Sequence, residues 1–241
     1  MEIALLCVMT FGAAFVQRVS GFGFGIFIMG VLPYLLPSYG EATTLSGLLA
    51  MVTSAIITAR MWRLVDLRKL LPILFTFIVT SFVAIQFVAS AADGLLRVIL
   101  GVTLIVTSLY FLFVSGHFSV RPSLPVQIVM GVVSGLMGGF FGMQGPPAVL
   151  YFLACTDTKD DYMSLAQCYF LSGNVMMTLF RSQSGFLTPA VGHAWLCAIG
   201  FVLLGTWVGG KVFDRLPITT LRRVVYAYMA ISGCVFLLRS V

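Results

Sequence analysis

Two short stretches of this sequence hold the residue types best suited to binding a ligand: Phe15-Val16-Gln17-Arg18-Val19-Ser20-Gly21-Phe22-Gly23-Phe24-Gly25 and Gly142-Met143-Gln144-Gly145-Pro146-Pro147. Each interrupts an apolar run with glycines that allow close backbone approach, and each carries an amide side chain able to donate or accept hydrogen bonds. Short apolar helices resume near Gly25 and near Pro147. The unpartnered N–H groups and partial positive charge of two helix starts would therefore face one ligand. Pro146 and Pro147 suit a first helical turn, where an N–H has no partner to lose. Such a pocket favours an anion.

Further residues extend this set. Arg18 at mid-depth would be a counter-charge for the anion; its alternative is to snorkel towards an interface. Gln17, Ser20 and Gln144 flank the breaks as neutral donors, while Ser46, Ser172 and Asn174 lie mid-span on the helices that follow, Asn174 being the strongest of the three. Any one of these polar residues could instead serve helix packing, as could the glycines. The substrate-binding residues expected from sequence are Gln17, Arg18, Ser20, Gly21, Gly23, Gly25, Ser46, Gly142, Gln144, Gly145 and Asn174. Glu41, Asp66, Asp93, Asp157, Asp160, Asp161 and Asp214 fall at loops or interfaces and Glu2 is terminal, so neither a cation site nor a carboxylate proton relay is expected.

Enzyme chemistry finds no footing. HExxH, a GxSx nucleophile motif with a suitable histidine, paired intramembrane aspartates and the nucleotide loop GxxxxGK[ST] are absent; His117 and His193 are isolated. Cys7, Cys155, Cys168, Cys197 and Cys234 are scattered singly through apolar segments and read as packing residues, not metal ligands or disulfides.

The elements that must position these residues follow from composition. The chain has 241 residues, 60% hydrophobic and 9% charged, with a mean hydropathy of +1.06. No charge occurs in residues 3–17, 19–40, 42–59, 70–92, 98–120, 122–156, 162–180, 182–210 or 224–238. About 20 apolar residues cross a hydrocarbon core of about 30 Å, so the chain is expected to be an all-α, polytopic membrane protein. The amino terminus has Glu2 in place of a basic stretch and no small-x-small cleavage site, and is expected to be retained. A net charge of +6 then sets orientation and does not indicate nucleic acid.

Two halves share one layout, residues 1–115 and 116–241. In the first, a helix over 3–16 is broken at 17–25, resumes over 26–36, and is followed by spans over 42–59, 70–89 and 94–114. In the second, 126–141 is broken at 142–147, resumes over 148–155, and is followed by spans over 162–180, 190–209 and 222–238. At an offset of 126, Ser46-Gly47 falls on Ser172-Gly173 and Arg97-Val98 on Arg223-Val224. The segment 148–155 rises only about 12 Å and cannot cross alone, so a re-entrant hairpin with its tip near mid-depth is expected. Two such hairpins make the halves inverted repeats, a recurring plan of secondary transporters. This topology puts Arg60, Arg63, Arg68, Lys69, Arg121, Lys159, Lys211, Arg215, Arg222 and Arg223, ten of the 14 basic residues, on one face, which is then cytoplasmic.

Both glycine phrases, with the Leu-Arg-containing helix starts at Arg97 and Arg223, resemble the TauE/SafE permease family, and the likeness covers nearly the whole chain. The resemblance implies a bacterial inner-membrane secondary transporter, most often exporting sulfite, sulfoacetate or another sulfur-containing or organic anion, without a cofactor. Uptake of a related sulfur-containing or carboxylate anion, or a non-transporting membrane subunit, are the alternatives. The partners implied are a small anion and the lipid bilayer, with no nucleic acid; a homodimer is compatible. Many family members have adjacent glycines in the first phrase and a smaller residue at the position of Arg18, so the resemblance extends to the fold and not to one substrate.

Overall fold

The structure, a computed structural model, describes residues 2–110 and 121–212 together with Cys234 and Leu238. Among these residues there are ten α-helices and no strand. They are α1 (Glu2–Ser20), α2 (Phe24–Ile28), α3 (Leu32–Leu35), α4 (Tyr39–Met61), α5 (Leu67–Ser90), α6 (Asp93–Leu109), α7 (Leu124–Phe141), α8 (Gly145–Cys155), α9 (Lys159–Gln183) and α10 (Pro189–Val212). Helices α1, α4, α5, α7 and α10 are long and apolar enough to cross a membrane, as a polytopic membrane protein requires. The span expected over 222–238 lies outside the described residues except for Cys234 and Leu238, as do residues 111–114 of the span following Asp93.

Polar side chains fix several helix starts. Ser38 Oγ accepts from the Glu41 N–H at 3.2 Å and Glu41 accepts from the Ser38 N–H at 2.9 Å, a capping box that opens α4. Asp66 accepts from Arg68 N–H at 3.0 Å to open α5, and Thr158 from Asp161 N–H at 3.1 Å to open α9.

Close packing is built on glycine. A Cβ added to Gly131 would fall 1.8 Å from Thr76 Oγ1, one at Gly135 would fall 1.9 Å from Thr80 Oγ1, and one at Gly139 would fall 2.5 Å from Ala84 Cβ. These successive contacts set α7 parallel to α5. The same device sets α10 parallel to α1, since a Cβ at Gly205 would fall 2.4 Å from Phe11 O and one at Gly209 2.9 Å from Arg18 Cβ. Small residues let membrane helices approach until backbone and side chain touch. Between the two pairs, α4 and α9 pack against each other in the centre. The centrality of α9 explains its lower apolarity: it buries Gln167, Asn174 and Arg181 against neighbouring helices, and lipid-facing surface is supplied by α5, α6, α7 and α10.

Contacts also order the ends. Thr188, just before α10, donates to Glu41 at 2.5 Å and Tyr39 N–H donates to Asp93 at 2.9 Å, so α4, α6 and α10 begin at one end. Arg60 and Lys211 close α4 and α10 at the other, where Lys69 Nζ donates to the Cys155 carbonyl at 2.8 Å and α8 finishes beside the start of α5. Helix α1 therefore enters from the first end and α7 from the basic end. Each is followed by a break and a short return, with Leu32 and Leu35 coming back beside Ile3, Leu6 and Ala190.

The first break is narrower than the sequence suggests. Helix α1 runs on through Gln17, Arg18 and Ser20, the Gly21 N–H still donating to Gln17 O at 2.9 Å. Only Gly21 to Gly23 is non-helical before α2, and the return is two short helices with a turn between them. The entering arms, 19 and 18 residues long, rise about 28 and 27 Å, more than a tip stopping at mid-depth requires. The breaks pass each other: Gly21 lies against Tyr162 in the first turn of α9, and Gly142 lies against Thr43 and Ser46 early in α4.

Candidate functional site

The first break is held from both sides. Gln17 Nε2 donates to Ser54 Oγ at 2.8 Å and to Gln167 Oε1 at 3.0 Å, and Gln167 Nε2 donates to the Gly21 carbonyl at 2.6 Å. These bonds tie α1 to α4 and α9. Ser20 Oγ donates within the turn, to Val16 O at 2.8 Å and Phe22 O at 2.6 Å, and Tyr162 OH donates to Ser20 O at 3.3 Å. Gly21 (φ +84°) and Gly23 (φ +100°) occupy left-handed backbone that favours glycine.

The second break is held by Arg181, from the last turn of α9. Arg181 is 1% exposed. Its Nη2 donates to Gly138 O at 2.9 Å and Gly139 O at 3.2 Å, and its Nη1 donates to Thr43 O at 3.1 Å. A cation thus satisfies the carbonyl end of α7, where the helix dipole is negative, and ties it to α4. Gly142 (φ +68°) ends α7 in left-handed backbone. The Gln144 carbonyl then accepts from Ser134 Oγ, itself the acceptor for Tyr169 OH at 2.8 Å. Gln144 Nε2 donates to Asn174 Oδ1 at 3.0 Å and Phe170 O at 3.3 Å. With its oxygen engaged, Asn174 keeps its Nδ2 as a donor.

Returning from the first break, α2 meets the second. A Cβ at Gly25 would lie 2.1 Å from the Gly142 carbonyl oxygen, so only glycine permits this main-chain contact. Around it is a cavity of about 30 Å³, room for about two waters. It is level with Ala50, midway along α4, and with Phe170 and Asn174 of α9.

Of the residues expected from sequence, the structure brings Gln17, Gly23, Gly25, Gly142, Gln144, Gly145 and Asn174 to this cavity. Ser46 is buried beside Gly142, 3.7 Å from where its Cβ would be, and Ser20 and Gly21 form the first turn behind the wall. Arg18 lies elsewhere. It lines a separate cleft with Arg60 and Lys211, because consecutive helical residues point about 100° apart and Gln17 takes the inward direction. Sequence reasoning missed the apolar wall of Phe22, Phe24, Ile26, Ala50, Met143 and Phe170; nothing distinguishes these residues from lipid-facing ones in the linear pattern.

The described cavity lining contains neither a carboxylate nor a cation. Its polar character comes from amides. N–H groups at the start of α2 have no partner within their own helix, nor do those of Gln144 and Gly145. Pro146 and Pro147 remove two further donors from α8, so the first break is the richer in N–H groups. The Gln17 and Gln144 Oε1 atoms are buried without hydrogen-bond partners, so each amide holds a donor-seeking oxygen close to the cavity.

A family model described as "Sulfite exporter TauE/SafE" matches residues 6–236. The "Probable sulfite/organosulfonate exporter TauE" of Cupriavidus necator is 25% identical over 235 residues, covering 93% of this chain and 90% of that protein. No solved structure matches.

Proposed function

Because this chain belongs to the sulfite exporter TauE/SafE family, a transporter and not an enzyme family, we propose that it exports sulfite or a small organosulfonate, held between the two helix breaks at mid-membrane. The observation that carries this reading is the contact of Gly25 with the Gly142 carbonyl beside a cavity lined by Gln17, Gln144 and Asn174. Broken helices inside a bilayer are tolerated where they line a cavity, and helix starts there suit anions. Donors at Phe24, Gly25, Gly145 and Asn174 Nδ2 would replace the hydration of the oxyanion. Among the described lining residues there is no carboxylate, so no full negative charge stands there to repel it.

Residues 1–115 and 116–241 form two inverted repeats in this reading. Exchanging α1 with α7 and α5 with α10 turns the α1–α10 pair into the α7–α5 pair and leaves α4 against α9, which supports the exchange. Rocking of one hairpin against the other would open the cavity to either face in turn. In a bacterial inner membrane with the basic loops cytoplasmic, outward movement of a monovalent anion gains about 2.3 kcal/mol per 100 mV of inside-negative potential. The test is sulfite and sulfoacetate flux from proteoliposomes under an imposed potential, comparing the parent with Asn174→Leu. Flux by the parent that is lost in the folded variant supports the reading; parent vesicles no leakier than protein-free ones sink it.

A further inference from the structure

A larger cleft opens between α1, α4 and α10 at the basic end, with a volume of about 730 Å³. Arg18, Arg60 and Lys211 reach it from three different helices, and no carboxylate is among its described lining residues. We propose that this cleft is a second oxyanion site, which captures an organosulfonate on the cytoplasmic side before it enters the mid-membrane cavity. The oxyanion would sit among the three cations, and the apolar remainder against Ile56, Leu203 and Trp207. The inference rests on the transport reading for its role in loading, and on the cleft alone for binding.

Three observations carry it. The backbone is shaped around Arg18: a Cβ at Gly209 would fall 2.9 Å from Arg18 Cβ, and one at Gly210 would fall 3.4 Å from Arg18 Nε. The paired glycines leave the channel in which this side chain lies. Lys211 Nζ stands over the Trp207 ring, 3.6 Å from its centroid, a cation–π contact that holds the ammonium at the wall of the cleft. The inner part of the cleft is closed by buried Ile57 and by Thr206, whose hydroxyl pairs with Thr53 at 3.0 Å. Basic residues that only set orientation need lie near the membrane surface; they need not converge on one concavity from the last turns of three helices. Gln17, the neighbour of Arg18 on α1, already lines the mid-membrane cavity. One helix position therefore separates the two sites.

A phospholipid phosphate offers the same chemistry as a sulfonate, so the test uses both. The full-length protein in phosphatidylcholine nanodiscs is titrated with benzenesulfonate, alone and with phosphatidylglycerol added to the disc. The parent is compared with Arg60→Gln/Lys211→Gln and, separately, with Asn174→Leu. Loss of two cations should weaken benzenesulfonate binding about tenfold or more and raise the KM for its efflux, with kcat less affected. Asn174→Leu should abolish flux and leave this binding intact. Unchanged binding in the double variant overturns the proposal, and so does complete displacement by phosphatidylglycerol with an unaltered efflux KM, which makes the cleft a lipid site. Binding that depends on the cations in a parent that moves no anion upholds the site and removes the transport reading alone.

Discussion

The guanidinium of Arg181 donates to the carbonyl oxygen of Gly138 at 2.9 Å, joining the last turn of α9 to the last turn of α7 inside the protein. Two further carbonyls, of Gly139 and Thr43, share the same side chain. One arginine therefore satisfies three acceptors and fixes where the second break begins.

Replacing it should unfold that corner. Arg181→Met removes a charged donor from three buried carbonyls, of which Gly138 O keeps the Gly142 N–H at 2.9 Å, and is expected to destabilise the protein by about 3 kcal/mol. Arg181→Lys keeps the charge but cannot reach three acceptors at once, and should recover part of the loss. Thermal melting of the purified protein in detergent orders the three: parent above Lys above Met.

Glycines in the α5–α7 seam should tolerate no side chain. Gly131→Ala places a methyl 1.8 Å from Thr76 Oγ1 and 2.7 Å from the Ile73 carbonyl, and overpacking of this kind costs about 1–3 kcal/mol. Gly192→Ala, with nothing within 4 Å of the new atom, is the matched control. Equal melting temperatures for both would mean the helices part freely along this seam.

At the meeting of the breaks, Gly25→Ala drives a methyl to 2.1 Å from the Gly142 oxygen, whereas Gly145→Ala meets only side-chain carbons of Phe22 and Phe170, at 3.4 Å or beyond. Sulfite efflux should be lost in the first and largely kept in the second. Similar rates in the two would detach transport from this contact.

The sign of the cavity can be tested by charge. Asn174→Asp puts a carboxyl where the neutral amide accepts from Gln144, and its ionised form should repel an anion far more than Asn174→Ser does. The neutral acid returns as pH falls, so efflux by the Asp variant should rise towards acid pH relative to the Ser variant. A pH profile parallel to that of the Ser variant contradicts an anion site.

The linear pattern locates both breaks to within a few residues because glycine and proline act locally, on backbone freedom and on missing donors. It also finds the amides Gln17, Gln144 and Asn174, since polar side chains within apolar runs stand out. Direction is harder to read. Gln17 and Arg18 are neighbours with similar prospects in sequence, yet only helix phase sends one to the cavity and the other to a cleft beside Gly210. The role of Arg181 is hidden for a related reason: a cation near a helix end looks like an interface residue until the carbonyls of another broken helix are known to end beside it. The walls formed by Phe22 and Phe170 give no signal, because burial against protein and burial in lipid select the same side chains.

The pairing of α1 with α10 and of α5 with α7 interlaces the two halves of the chain. Each entering arm lies along a seam whose other side belongs to the opposite half, so a polypeptide cut between residues 110 and 121 would give two fragments, each with its arm unclasped. Neither piece can complete its packing by itself. Co-expression of the fragments should restore a stable complex where separate expression does not, which makes this a protein assembled by mutual embrace and not by the docking of two finished modules.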